Sequence, residues 1–237
     1  MPEVFAFVLQ LPTYQITQLP TCLPLYNLTG SKQFTNEDPS HMKTSAIGVR
    51  VHSGWGALVV VSGKPGVEEI VERRRVVITD AKMAGAIQPY HFGKTLQINQ
   101  GEQHVARCAA ASARLALSAL RELLQELHRR EYRVAGSCIL LSSGRPLPDF
   151  ARILASHALI HTAEGEFFRK AFRDAFEQLE IPVTGIRERD LQQQAQSKFG
   201  KGALKLEQRI AGMGRSLGPP WTTDQKNAAL AAFLVLH

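Results

Sequence analysis

The chain has 237 residues, 44% hydrophobic and 21% charged, with a net charge of +7 at pH 7. This balance suits one large globular domain or two small ones with a real core. No run of about 18 apolar residues occurs, which excludes a transmembrane helix and leaves no membrane role to expect. The three scattered cysteines, Cys22, Cys108 and Cys138, form no CxxC pair. That argues against a disulfide framework or a cysteine-held zinc, and for a reducing, cytoplasmic setting.

Residues 1–41 differ from the rest. They hold five of the twelve prolines, and Lys32 stands alone against Glu3, Glu37 and Asp38, so this stretch carries −2 and residues 42–237 carry +9. It lacks the basic start and small-residue cleavage site of a signal peptide, and its prolines prevent a long helix. A poorly ordered extension is expected, with a globular domain over 42–237. A sharper alternative is that Met42 is the true start, because MKTSAIGVRV runs directly into a strand.

Two strands are predicted at 46–52 and 56–62, joined by the Gly54–Trp55–Gly56 turn. GKPGVEE (63–69) has no Walker spacing and reads as a turn. A third strand follows at 73–80, closed by Asp80. Residues 81–101, punctuated by Gly85, Pro89, Gly93 and Gly101, read as a long loop. Val105, Cys108, Leu115, Leu120, Leu123 and Leu127 recur at near-helical spacing and predict an amphipathic helix over about 102–130. RVAGSCILLSSG (133–144) is a continuous apolar run, as expected of a strand covered on both faces. Helix is predicted over about 149–180, interrupted near Ser156 or Gly165, then a fifth strand at 181–187 and two short helices within 189–213. The rigid LGPPW connector leads to a capped, alanine-rich last helix at 222–236.

The order is β-β-β-α-β-α-β-α. Right-handed crossovers place strands four and five parallel to strand one. The expected fold is α/β, a mixed five-stranded sheet in the order 3-2-1-4-5 with helices on both faces. This order resembles the ribonuclease H-like superfamily, most nearly its RuvC-type members, the Holliday-junction resolvases and their relatives. AIGVRVHSGWGALVVV is similar to their Gly-rich first hairpin, FEQLEIPVTGI to their passage from helix to fifth strand, and TTDQKNAALAAFLVL to their last helix.

The resemblance implies two divalent metals held by acids from strand one, strand four and the last helix. Mg²⁺ takes oxygen ligands, and a metal pair clamps the attacking and leaving oxygens of a phosphodiester. Asp224 matches the last-helix acid. The strand-one acid is expected near Arg50 to His52, where no carboxylate stands, and strand four ends in Ser142–Ser143. A standard two-Mg²⁺ centre is therefore not expected.

In such a fold the sheet ends and the start of the last helix converge. His52, Ser142, Ser143, His157, His161, Glu164, Asp224 and Lys226 are candidates for one polar pocket there. His157, His161 and Glu164 share a helical face, and they are expected to point inward with Asp224 and His52 as nearest partners. The two histidines at i,i+4 make a workable metal pair, with Glu164 as third ligand or base. Imidazole plus carboxylate suits a divalent Zn²⁺, Mn²⁺ or Fe²⁺ better than Mg²⁺. The plain structural reading is a set of hydrogen-bonded polar residues at a helix end. PYHFGK (89–94) places Tyr90, His91 and Lys94 in the long loop, as a lid over the pocket or as an ordered surface segment.

Arg73–Arg75, Arg129–Arg130 and KFGKGALK (198–205) could touch phosphates or simply be solvated. Trp55 and Trp221 could stack on a base or pack at a core edge. Two functions remain in view. One is a divergent nuclease or phosphoryl-substrate hydrolase with His161, Glu164, Asp224 and His52 as its catalytic set. The other is a non-catalytic descendant that binds nucleic acid, another polyanion or a protein. The pattern specifies neither substrate nor oligomeric state.

Overall fold

The computed structural model describes residues 41–142 and 146–237. The expected extension over 1–41 therefore lies outside the described residues except for His41, as does Ser143. Five strands form one sheet: β1 (Lys43–His52), β2 (Trp55–Lys64), β3 (Val67–Val77), β4 (Tyr132–Leu141) and β5 (Val183–Arg187). Their order is β3-β2-β1-β4-β5. β1–β2 and β2–β3 are antiparallel, and β1–β4 and β4–β5 are parallel. The chain thus has the expected mixed five-stranded sheet in the order 3-2-1-4-5. Among the described residues, no helix is long and apolar enough to cross a membrane.

Alternation along the strands divides the core in two. Ile47, Val49, Leu58, Val60 and Ile139 face α2 (Ile98–Arg129) and α4 (His157–Gln178), whose Phe168, Phe172 and Phe176 are fully buried. Ala46, Val59, Val61, Cys138 and Leu140 face the other way, onto α5 (Leu191–Phe199), α6 (Gly202–Leu217) and α7 (Thr223–Leu236). Two short helices, α1 (Pro89–Gly93) and α3 (Phe150–Leu154), flank the start of α4. Cys108 and Cys138 are both buried and free, and burial pushes the Cys138 thiol up to about 12, so it is inert at neutral pH.

Two boundaries differ from the expected ones, and one expected break is present. β3 begins at Val67, because only Pro65–Gly66 separates it from β2, where Lys64 pairs with Val67. Its charged residues hid it: EEIVERRR is an edge strand whose polar side chains reach neighbouring helices. The predicted loop at 81–101 holds α1 and the first turn of α2. Gly101 is no breaker there; a Cβ on it would sit 2.7 Å from the Gly93 carbonyl oxygen, so it admits the close approach of α1. The helical region at 149–180 is indeed interrupted beside Ser156, whose hydroxyl accepts from the Leu159 amide as the cap of α4.

The edge strand is tied to α6 by an ion pair between Arg209 and Glu68, whose side chain is 3% exposed. Burial alone would raise the Glu68 carboxyl, but the hydrogen bond from Arg209 and nearby backbone amides bring it below its ordinary value of 4.5. A depressed carboxyl contributes stability above its unfolded value and loses it as pH falls through the folded one. Arg209→Met is therefore expected to cost about 2 kcal/mol at neutral pH, between exposed and buried pairs. The difference from wild type should shrink in acid, where Glu68 is protonated in both chains. Urea unfolding at neutral and acidic pH measures it, and an equal cost at both would refute the assignment.

Candidate functional site

The residues expected in one pocket fall into two separate clusters. The first surrounds the start of α7. Arg50 leaves β1 and donates through Nε to Glu188 Oε1 at 2.8 Å, while its Nη1 donates to Asp224 Oδ1. His52 Nε2 lies 3.2 Å from Arg50 Nη1 and 3.1 Å from Asp224 Oδ2. Asn227 donates to Glu188 Oε1 at 3.2 Å. Asp224 is held here because α7 opens with a capping box, Thr222 with Gln225, that fixes its first turn. Partial burial would lower the Arg50 guanidinium, but Glu188 and Asp224 hold it above its ordinary value, so it stays charged. The His52 ring stacks on Trp55 with centroids 4.3 Å apart, and the Arg75 guanidinium lies 3.7 Å over that indole.

This cluster does not fit the paired Mg²⁺ ions that the fold resemblance implies. Such a centre needs several carboxylates with no competing cation. Here a guanidinium occupies the expected place of the strand-one acid and already neutralises the last-helix acid. No step through such metals follows from these residues.

The second cluster joins α1 to the first turns of α4. Glu164 is buried, its side chain 3% exposed, and its Oε1 accepts from the His91 backbone amide at 3.1 Å and faces His91 Nδ1 at 3.0 Å. His157 Nε2 and His161 Nε2 lie 3.2 Å apart. One nitrogen from each of His91, His157 and His161 falls within 4.8 Å of the others. Beside them, burial and then the Glu164 charge raise the Tyr90 hydroxyl above its ordinary value. Tyr90 itself lines a cleft of about 440 Å³ between α2 and α4.

Several expectations are corrected by this geometry. His157 and His161 are exposed rather than inward-facing, because the first turns of α4 bury Ile160 and Ala163 against α3 instead; of the three, only Glu164 turns in. The residue Glu164 meets is His91, not Asp224 or His52. Glu164 therefore stands behind an imidazole, and the third nitrogen beside the His157–His161 pair belongs to His91. Tyr90 and His91 are helical, in α1, rather than in a loop lid. Ser142 is exposed, and its hydroxyl donates to Glu166 at 3.4 Å, apart from both clusters. Lys226 lines a separate pocket of about 200 Å³ with Glu207, Gln192 and Thr223.

Most of the basic segments are engaged in structure. Arg73 donates to the Leu217 and Gly218 carbonyls at the end of α6, Arg74 pairs with Glu126, and Arg130 pairs with Glu72. Lys198 donates to the Leu234 carbonyl. The Trp221 indole donates to the Ile210 carbonyl, a packing role. Sequence reading passed over Arg107, Arg114 and Arg121, which are all exposed on α2. Their seven-residue spacing was the available signal, since it places them on one stripe of a helix.

No protein-family model matches the chain, and no curated protein matches it. Among solved structures, Thermus thermophilus RuvC in complex with a Holliday-junction substrate is similar at 14% identity and a TM-score of 0.45, over 81% of this chain and 91% of that one. A second Thermus thermophilus RuvC structure is similar at 11% identity and a TM-score of 0.44, over 80% and 92%. The fold assignment rests on the sheet order.

Proposed function

We propose that the chain is a non-catalytic nucleic-acid-binding protein of ribonuclease H-like fold. The observation that carries this reading is Arg50, whose guanidinium lies between Asp224 and Glu188. A divalent ion at Asp224 would have to displace a charge already paired there and would be repelled by it at short range. Nuclease chemistry of the paired-metal kind thus loses its ligands, while the basic surface remains.

The surface supports a polyanionic partner. Residues 42–237 carry +9, and charge of this size steers and holds nucleic acid. Arg107, Arg114 and Arg121 recur every two turns of α2, about 10 Å apart along the helix, and none is buried. The Arg75–Trp55 pair offers a cationic and aromatic platform of the kind that stacks on bases.

Fluorescence anisotropy with labelled duplex, branched and single-stranded DNA tests this. Three phosphate contacts give a salt slope of about −2.7, so affinity should fall about 40-fold when salt is raised fourfold. Joint replacement of Arg107, Arg114 and Arg121 by glutamine should remove most of that slope. The DNA should remain uncut in Mg²⁺ or Mn²⁺. Cleavage would overturn the non-catalytic reading, and salt-independent or absent binding would leave a protein partner as the better account.

A further inference from the structure

We propose that His91, His157 and His161 form a binding site for a zinc-class divalent cation, with Glu164 as the carboxylate that positions His91. This goes beyond the nucleic-acid reading and does not depend on it.

The argument begins with the separation of the donor atoms. Zinc–nitrogen bonds of about 2.0–2.1 Å at a tetrahedral angle set neighbouring donors about 3.4 Å apart. His157 Nε2 and His161 Nε2 are 3.2 Å apart, and the three histidines' donors all fall within 4.8 Å. His157 and His161 are one turn apart in α4, so the helix itself sets their spacing. His91 comes from α1 and needs a separate device to hold it. Glu164, one turn beyond the exposed histidines and buried, provides that device through two contacts from one oxygen, to the His91 amide and to Nδ1.

The tautomer follows from this contact. A carboxylate facing Nδ1 fixes the proton there and leaves the Nε2 lone pair free to bind a metal. A buried carboxylate needs partners to offset its desolvation, and here its partners are the two N–H groups of a single histidine. The same oxygen cannot then serve as a metal ligand in place of His91.

The donor set selects the cation. Three imidazole nitrogens suit Zn²⁺ and its neighbours in the transition series, and Mg²⁺ or Ca²⁺ poorly. Three protein ligands also leave one position of a tetrahedron open, and His157 and His161 are exposed, so that position faces water, as in open rather than closed zinc sites.

Chelator-stripped, desalted full-length protein titrated with ZnCl₂ in a calorimeter, in the presence of excess Mg²⁺, tests the proposal. About one zinc per chain is expected. Co²⁺ loading should give the visible absorption of a four-coordinate site. His161→Ala should weaken binding at least 100-fold; His161 is exposed, so this variant should fold. His91→Ala should weaken binding at least tenfold, and Glu164→Gln by about 10–100-fold with the stoichiometry retained. Circular dichroism of each apo variant separates lost binding from lost fold, and His91→Gln serves where His91→Ala unfolds. Unchanged affinity in the folded His91 variant would reduce the site to an adventitious histidine pair on one helix and overturn the proposal. So would a stoichiometry well below one in wild type. DNA affinity measured with and without chelator fails or holds independently of either result.

Discussion

Gly48→Ala is expected to cost about 3 kcal/mol or more, the upper end of what overpacking does. β1 and α7 touch backbone to backbone at this point. A Cβ on Gly48 would lie 1.9 Å from the Ala228 carbonyl oxygen, 2.8 Å from its carbon and 3.1 Å from the Ala232 amide nitrogen. Side chains can rotate away from a new methyl, but a strand and a helix backbone cannot, so α7 must retreat. Ala228 through Leu234 are all buried, so its retreat opens gaps across the core layer it shares with α5 and α6 while drawing Asp224 away from Arg50. Gly202→Ala is the control. Its site at the start of α6 is open, with Phe199 4.0 Å away, so a stabilising change of a few tenths of a kcal/mol is expected from the unfolded state alone. Urea denaturation of the two variants decides the matter, and a cost below about 1 kcal/mol at Gly48 would show that α7 is not seated as described.

A glycine inside a strand marks a close backbone approach, but the Ala228 backbone that Gly48 meets lies 180 positions later, and no local pattern names it. The apolar runs in β1, β2 and β4 read plainly because both their faces are buried. β3 was half-hidden because it is an edge strand, and its identity depends on what its charges meet: Glu68 meets Arg209, Glu72 meets Arg130 and Arg74 meets Glu126. Local pattern carries no such information. Gly101 misled for the opposite reason, since a residue that usually breaks a helix here serves packing against α1.

The candidate site was legible only where it is local. The His157–His161 pair follows from helical spacing, and it was found. Its third nitrogen comes from His91, which contacts Glu164 across 73 positions of sequence, and no periodicity links them. Merging this cluster with His52 and Asp224 followed from the general convergence of sheet ends, which does not say on which face of the sheet each helix lies. α4 packs on one core layer and α7 on the other, and that places the two clusters apart. The absence of an acid near Arg50 was visible in sequence, but the pairing of Arg50 with Asp224, 174 positions away, was not.

That pairing leads to the second large effect, which Arg50→Asp should produce. The substitution puts a third carboxylate beside Asp224 and Glu188 and removes the cation that neutralises them. In chelator, the like charges should destabilise the fold by about 3 kcal/mol, or about 9 °C in Tm for a domain of this size. The same change supplies a clustered oxygen donor set of the kind divalent cations take. Mg²⁺ or Mn²⁺ at about a hundred times its Kd should then return about 2.7 kcal/mol by mass action, nearly restoring the wild-type Tm. Arg50→Met separates the two consequences: it removes the cation without adding a ligand, so it should lose stability and recover little with metal. Wild type should respond hardly at all at this site, because Arg50 already satisfies both acids. Differential scanning fluorimetry of the three chains with and without cation is sufficient. Equal Mg²⁺ responses in Arg50→Asp and Arg50→Met, or a wild-type response as large as that of Arg50→Asp, would show that Arg50 does not stand in the place of a metal ion.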